Sequence, residues 1–135
     1  MVRHRHGAIL VTVILNLVVV FFWYSPYLFL NSWAAGLGKQ VSELKQSNPL
    51  PIIGVTAGTF LSCYVLSWLF QLVGADTIRD GASAGIVLWL GIALPVLLSH
   101  YMLAGISFSV LYIDALNALF SLVLTGSILA VWRRR

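Results

Sequence analysis

The chain has 135 residues, of which 60% are hydrophobic and 9% charged, with a formal net charge of +4 and one cysteine. Soluble domains use roughly 45–50% apolar and about 25% charged residues, so this composition excludes an ordinary water-soluble fold. Lone Cys63 excludes an intrachain disulfide framework and reads as a small buried apolar residue; the short basic ends are too brief for a nucleic-acid surface.

Charge is absent from Gly7 to Gly38, from Gln46 to Ala75, from Gly81 to Ile113 and from Ala115 to Trp132. A spanning helix needs about 20 mostly apolar residues. The uncharged stretches hold four such units, at about 7–24, 52–73, 81–101 and 107–132. The last two are split at His100 to Ser107, where Gly105 and two serines interrupt the run; unsplit, it is far too long for one crossing. The expected fold is an all-α integral membrane protein, a single domain of four transmembrane helices in a compact bundle.

The first apolar run ends in Phe21-Phe22-Trp23-Tyr24-Ser25-Pro26 rather than in a small-residue cleavage site. It reads as a retained span, not a signal peptide. Trp23, Tyr24 and Trp33, with Trp132 at the far end of the chain, have the amphipathic rings that settle at headgroup level and are expected as interface anchors.

Pro26 stops simple helical continuation. Beyond it Trp33, Leu37, Val41 and Leu44 recur at helical spacing, with Lys39, Gln40, Glu43 and Gln46 opposite. That pattern predicts a short amphipathic helix over about 33–47, lying on the membrane surface in the first outer loop, with Lys39 and Glu43 as an i, i+4 pair.

The second span carries a polar stripe, Thr56, Thr59, Cys63, Ser67 and Gln71, and the first a shorter one, Thr12 and Asn16. Gly54 with Gly58, and Gly81 with Gly85 in the third span, are small-xxx-small pairs that let backbones approach, within the chain or between subunits. Thr77 and Asp80 have the form of a capping box opening the third span, and Pro95 should kink its outer half.

In the fourth span Asp114, Asn117, Ser121 and Thr125 fall at i, i+3, i+7 and i+11, on one face of the helix. An acid within a span costs at least about 2.5 kcal/mol by insertion scales, so Asp114 demands a partner. With polar stripes turned inward, the candidates are Asn16, a threonine of the second span, or His100 near the outer end of the third. A buried His and Asp pair could carry protons; the plainer roles are a structural bond for Asp114 and an interfacial one for His100.

No catalytic residues emerge. No nucleophile, phosphate loop or paired carboxylate stands in a credible setting, and Arg3-His4-Arg5-His6 places its two histidines between cations, a repulsive metal site. No enzymatic activity, metal or cofactor is expected, although His100 or Asn16 could ligate a pigment in a tetrapyrrole-bearing complex. Bound lipid is expected.

Arg3, Arg5, Arg79 and Arg133 to Arg135 fall on one side of a four-span chain, against Lys39 and Lys45 on the other. The positive-inside rule then predicts a multi-pass inner-membrane protein with both termini cytoplasmic.

Trp23-Tyr24-Ser25-Pro26 with Phe29 and Trp33, then Gly74-Ala75, Thr77, Gly81, Gly85 and Trp89-Leu90-Gly91, and finally Leu124, Gly126 and Trp132, together resemble the small, mostly bacterial four-span proteins catalogued as domain of unknown function 1761. The resemblance spans nearly the whole chain and implies a membrane protein with no assigned activity. Leu30 and Asn31 depart from an expected Gly-Lys pair, and Asp114 and Asn117 stand where Asn and Tyr are expected. The leading expectation is an oligomerising or accessory subunit of a larger membrane complex. The alternative is a small transporter or channel with a polar path around Asp114.

Overall fold

The structure is a computed structural model that describes residues 5–44 and 48–133. Arg3, His4, Lys45, Gln46, Arg134 and Arg135, which enter the metal, surface-helix and orientation expectations, lie outside the described residues. The described chain is all α: α1 (His6–Trp23), α2 (Leu30–Gly36), α3 (Val41–Leu44), α4 (Leu50–Val73), α5 (Ile78–Leu88), α6 (Leu94–Ala104) and α7 (Phe108–Arg133). A five-residue π-turn, Trp89–Ala93, joins α5 to α6 into one 27-residue span, Ile78–Ala104. Four helical segments are thus long and apolar enough to cross a bilayer, and the protein is a multi-pass membrane protein of bundle form.

Helix α7 is the axis of the bundle, packing on α1, α4, α5, α6 and the short α2. Lipid tails are as apolar as leucine, so helices in a bilayer are held by close contact and hydrogen bonds rather than by escape from water. The closest contact is between α5 and α7. A Cβ at Gly81 would strike the Gly126 carbonyl, and one at Gly85 would strike the Leu122 carbonyl, so the two backbones touch without side chains between them. A core of Ala8, Ile9, Val13, Cys63, Leu66, Phe70, Leu129 and Ala130 fills the end of the bundle where α1 begins and α7 ends.

The π-turn has a local cause. Pro95 lacks an N–H and its ring crowds the carbonyl of Gly91, so the tight α-helical bond at that register is lost. The helix widens instead of breaking, and Leu94 donates its N–H to the Trp89 carbonyl across the wide turn.

The outer loop departs from the expected single amphipathic helix over 33–47. Helix α2 already begins at Leu30, and Gly38, in the left-handed region at φ 70°, ends the run and turns the chain. A residue with Cβ resists that conformation, and glycine does not. Helix α3 restarts only at Val41, so Lys39 lies outside it and the expected Lys39–Glu43 register does not exist. Nor does α2 lie loose on a surface. Ala34 is buried, and Gly36 abuts Val110 and Ser109 of α7.

Thr77 caps α5, accepting from the Asp80 N–H at 3.1 Å while its hydroxyl donates to the Asp80 carboxylate at 2.6 Å. At the opposite turn Gly105, at φ 67°, closes α6 and lets the Ile106 N–H reach the Tyr101 carbonyl before α7 begins.

Candidate functional site

Asp114 lies in the second turn of α7, half-buried, at the end of the bundle where α1 and α6 finish. Two phenols reach it from different helices. Tyr24, which caps α1, donates to Oδ1, and Tyr101, in the last turn of α6, donates to Oδ2 at 2.6 Å. Each carboxyl oxygen thus has a phenol partner of its own. Hydrogen bonds to a charged acceptor are about twice as strong as neutral ones, so the clamp offsets part of the cost of an acid in the membrane.

Two indoles frame the same turn. Trp23 donates to the Ile113 carbonyl at 3.0 Å and Trp89, from the π-turn, to the Ala115 carbonyl at 2.7 Å. The residues on either side of Asp114 are therefore anchored by one tryptophan from the first span and one from the third. The ring of Trp33, on α2, meets that of Tyr24 edge-on at 5.2 Å, which lays the outer loop over the clamp.

Two polar atoms beside this site lack partners among the described residues. Asn117 Oδ1 and Trp33 Nε1 are both buried and make no hydrogen bond. Asn117 also lies against the Tyr24 phenol. A buried acceptor without a donor costs about 1–3 kcal/mol and needs an explanation such as a bound water or ion.

The expected partners of Asp114 are replaced. Asn16 belongs to a second polar knot deeper in the bundle: its Nδ2 donates to the Thr12 carbonyl and to Thr125 Oγ1, each at 2.9 Å, and its Oδ1 accepts from Ser121 at 2.6 Å. Cys63 of α4, buried among these groups, abuts Thr125. The reason is register. Helices α1 and α7 run antiparallel, so the eight residues from Asn16 to Tyr24 match the seven from Ser121 back to Asp114. At about 1.5 Å per residue, Asn16 faces Ser121 and Tyr24 faces Asp114.

The polar face of α7 therefore divides into two sites, with Asp114 and Asn117 in one and Ser121 and Thr125 in the other. Of the second span's stripe Cys63 joins them, while Thr59 returns its hydroxyl to the Val55 carbonyl and Gln71 donates to the Ser67 carbonyl. His100 is exposed on α6, since one residue turns the helix by about 100° and Tyr101 takes the inward place.

Trp23 and Tyr24, expected as interface anchors, spend their polar atoms inside the protein, and Trp132 keeps 39% of its surface exposed at the other end. Tyr101 and Trp89 were absent from the sequence-based site. The one available signal was general: a Tyr O–H or Trp N–H in an apolar span seeks a buried partner. At the far end His6 shares a hydrogen bond with the Tyr64 hydroxyl at 2.7 Å, and no metal-ligating cluster occurs among the described residues.

Gly81 and Gly85 lie in the α5–α7 contact, whereas Gly54 and Gly58 have no neighbour within 4 Å of a Cβ position and are exposed on α4. Gly54 and Gly58 therefore pack on none of the described residues of this chain.

The family model described as "Protein of unknown function (DUF1761)" matches residues 7–130. No curated protein and no solved structure matches the chain.

Proposed function

The chain belongs to the DUF1761 family, and on that premise we propose a non-enzymatic membrane subunit that associates laterally, with its own copies or with other membrane helices, through the outer half of α4. The contrast between two glycine pairs carries this reading. Gly81 and Gly85 are consumed by α7, while Gly54 and Gly58, with the same spacing, stand open on a helix that buries only Cys63, Leu66 and Phe70. Small residues facing lipid gain nothing from it, because they give up contact area; facing another helix, they allow a close crossing. The clamp at Asp114 fits this role as a tie that sets the angle between spans one, three and four.

In this reading both termini are cytoplasmic, in an inner membrane, since Arg5 and Arg79 lie at the end of the bundle where α1 starts and α7 finishes, and Lys39 lies at the other. The test is the size of the protein in mild detergent. Wild-type protein should run as an oligomer or with a partner polypeptide, and Gly54→Ile with Gly58→Ile should release a folded monomer. A wild-type monomer that copurifies with nothing would end this reading.

One observation favours a second reading, passage of an ion or proton at Asp114: the unpaired Asn117 Oδ1 beside a carboxylate. Proteoliposomes distinguish the two. Asp114→Asn should abolish flux if the site transports, and should affect only assembly or stability if it ties helices.

A further inference from the structure

We propose that a cleft at the opposite end of the bundle, between the start of α1 and the ends of α4 and α7, binds the phosphate headgroup of an anionic phospholipid. The cleft holds about 120 Å³ and is walled by Arg5, Ser67, Gln71 and Trp132 over a floor that includes Phe70 and Leu129. Its chemistry is divided in the way a phospholipid is.

The polar wall suits phosphate. Arg5, immediately before α1, is exposed and presents a guanidinium whose planar fork can pair with two phosphate oxygens. Gln71 Nε2 donates to the Ser67 carbonyl at 3.1 Å and stands 3.5 Å from Ser67 Oγ, so an amide and a hydroxyl lie side by side on this wall. The floor suits the glycerol and the first methylenes. Phe70 is 1% exposed and Leu129 6% exposed, and beside the cleft α4 presents Leu72 and Val73 outward, an apolar track for an acyl chain.

The surrounding charge points the same way. Arg79, in the first turn of α5, lies at this end of the bundle as well. The opposing acids are Asp76 and Asp80, and Asp80 is engaged by the Thr77 cap. Basic residues at a membrane surface each strengthen anionic-lipid binding, and here one of them borders a shaped cleft. The amphipathic lining selects a lipid headgroup over a free phosphate.

Native mass spectrometry of the full chain, delipidated and then titrated with phosphatidylglycerol or phosphatidylcholine, tests this. Phosphatidylglycerol should bind the tighter, and Arg5→Ala should weaken it about fivefold, the loss expected for one surface cation. Arg5→Lys should recover part of that loss, and Arg79→Ala should change little. Glycerol 3-phosphate at matched concentration should not displace the lipid. Arg5 is exposed, so its variants should fold; unchanged helical circular dichroism verifies this. Equal binding of the two lipids, wild-type affinity in Arg5→Ala, an equal loss in Arg79→Ala, or displacement by glycerol 3-phosphate would each overturn the proposal.

Discussion

Tyr101 and Asp114 are joined at 2.6 Å across the turn between the third and fourth spans, and Tyr24 of the first span closes on the other oxygen of the same carboxylate. Three of the four spans thus meet at one acid. Because the partners are phenols and not a cation, the site stays a polar clamp with no ion pair.

Removing one side of this clamp should cost more than removing all of it. Asp114→Leu alone strands two half-buried phenols, each at a cost of up to about 1–3 kcal/mol when unsatisfied. Tyr24→Phe and Tyr101→Phe should each cost about 1.5–3 kcal/mol, as losses of a bond to a charged group. The triple variant with Asp114→Leu should recover stability, since replacing all partners of a buried polar group by apolar ones is often neutral. Thermal unfolding in detergent gives these values. Strict additivity would show that the three residues do not act as one unit.

The knot at Asn16 should be a milder feature. Asn16→Leu removes bonds to Ser121 and Thr125 that tie α1 to α7. Interhelical hydrogen bonds in membranes average about 0.6 kcal/mol, so a loss of about 1–2 kcal/mol is expected, with the fold retained. Urea or SDS titration of the helical signal measures it, and a loss as large as that from breaking the Asp114 clamp would reverse this ranking.

Gly81 and Gly54 should respond oppositely to the same change. Gly81→Val drives a side chain into the Gly126 backbone, which cannot move aside, and should prevent α5 from docking on α7. Overpacking of a close contact typically costs about 1–3 kcal/mol and more where backbone is the obstacle. Gly54→Val meets open space within the chain and should leave the unfolding of the monomer unchanged. Comparative unfolding of the two variants checks this, and equal destabilisation would contradict the α5–α7 geometry.

The π-turn should depend on Pro95 and serve Trp89. Pro95→Ala restores an N–H and lets the helix tighten, which rotates Trp89 relative to Ala115 and strains their 2.7 Å bond. Trp89→Phe should cost about 0.5–1.5 kcal/mol for the lost hydrogen bond. In Pro95→Ala the same Trp89→Phe change should cost less, a coupling that a double-mutant cycle reads directly.

What the sequence determined by itself is the set of properties that depend on local composition. Apolar runs of sufficient length, free of charge except at Asp114, fixed the number of spans, because lipid requires each segment to satisfy its own backbone and penalises charge along the way. The polar face of α7 was legible from spacing alone, as were the cap at Thr77 and the disturbance caused by Pro95. The outer loop was less so: the apolar period over 33–47 suggested one helix, but Gly38 sits inside it and its backbone freedom overrides the period.

What only the tertiary structure decided is which faces meet and in what register. Spacing put Asp114 and Thr125 on one face, yet the antiparallel alignment of α1 assigns Tyr24 to the first and Asn16 to the second. A one-residue rotation likewise gives Asp114 Tyr101 in place of His100. The two glycine pairs are indistinguishable as sequence, and one is buried while the other is open. Such choices follow from how close two backbones can come, a property of pairs of helices that no single segment encodes.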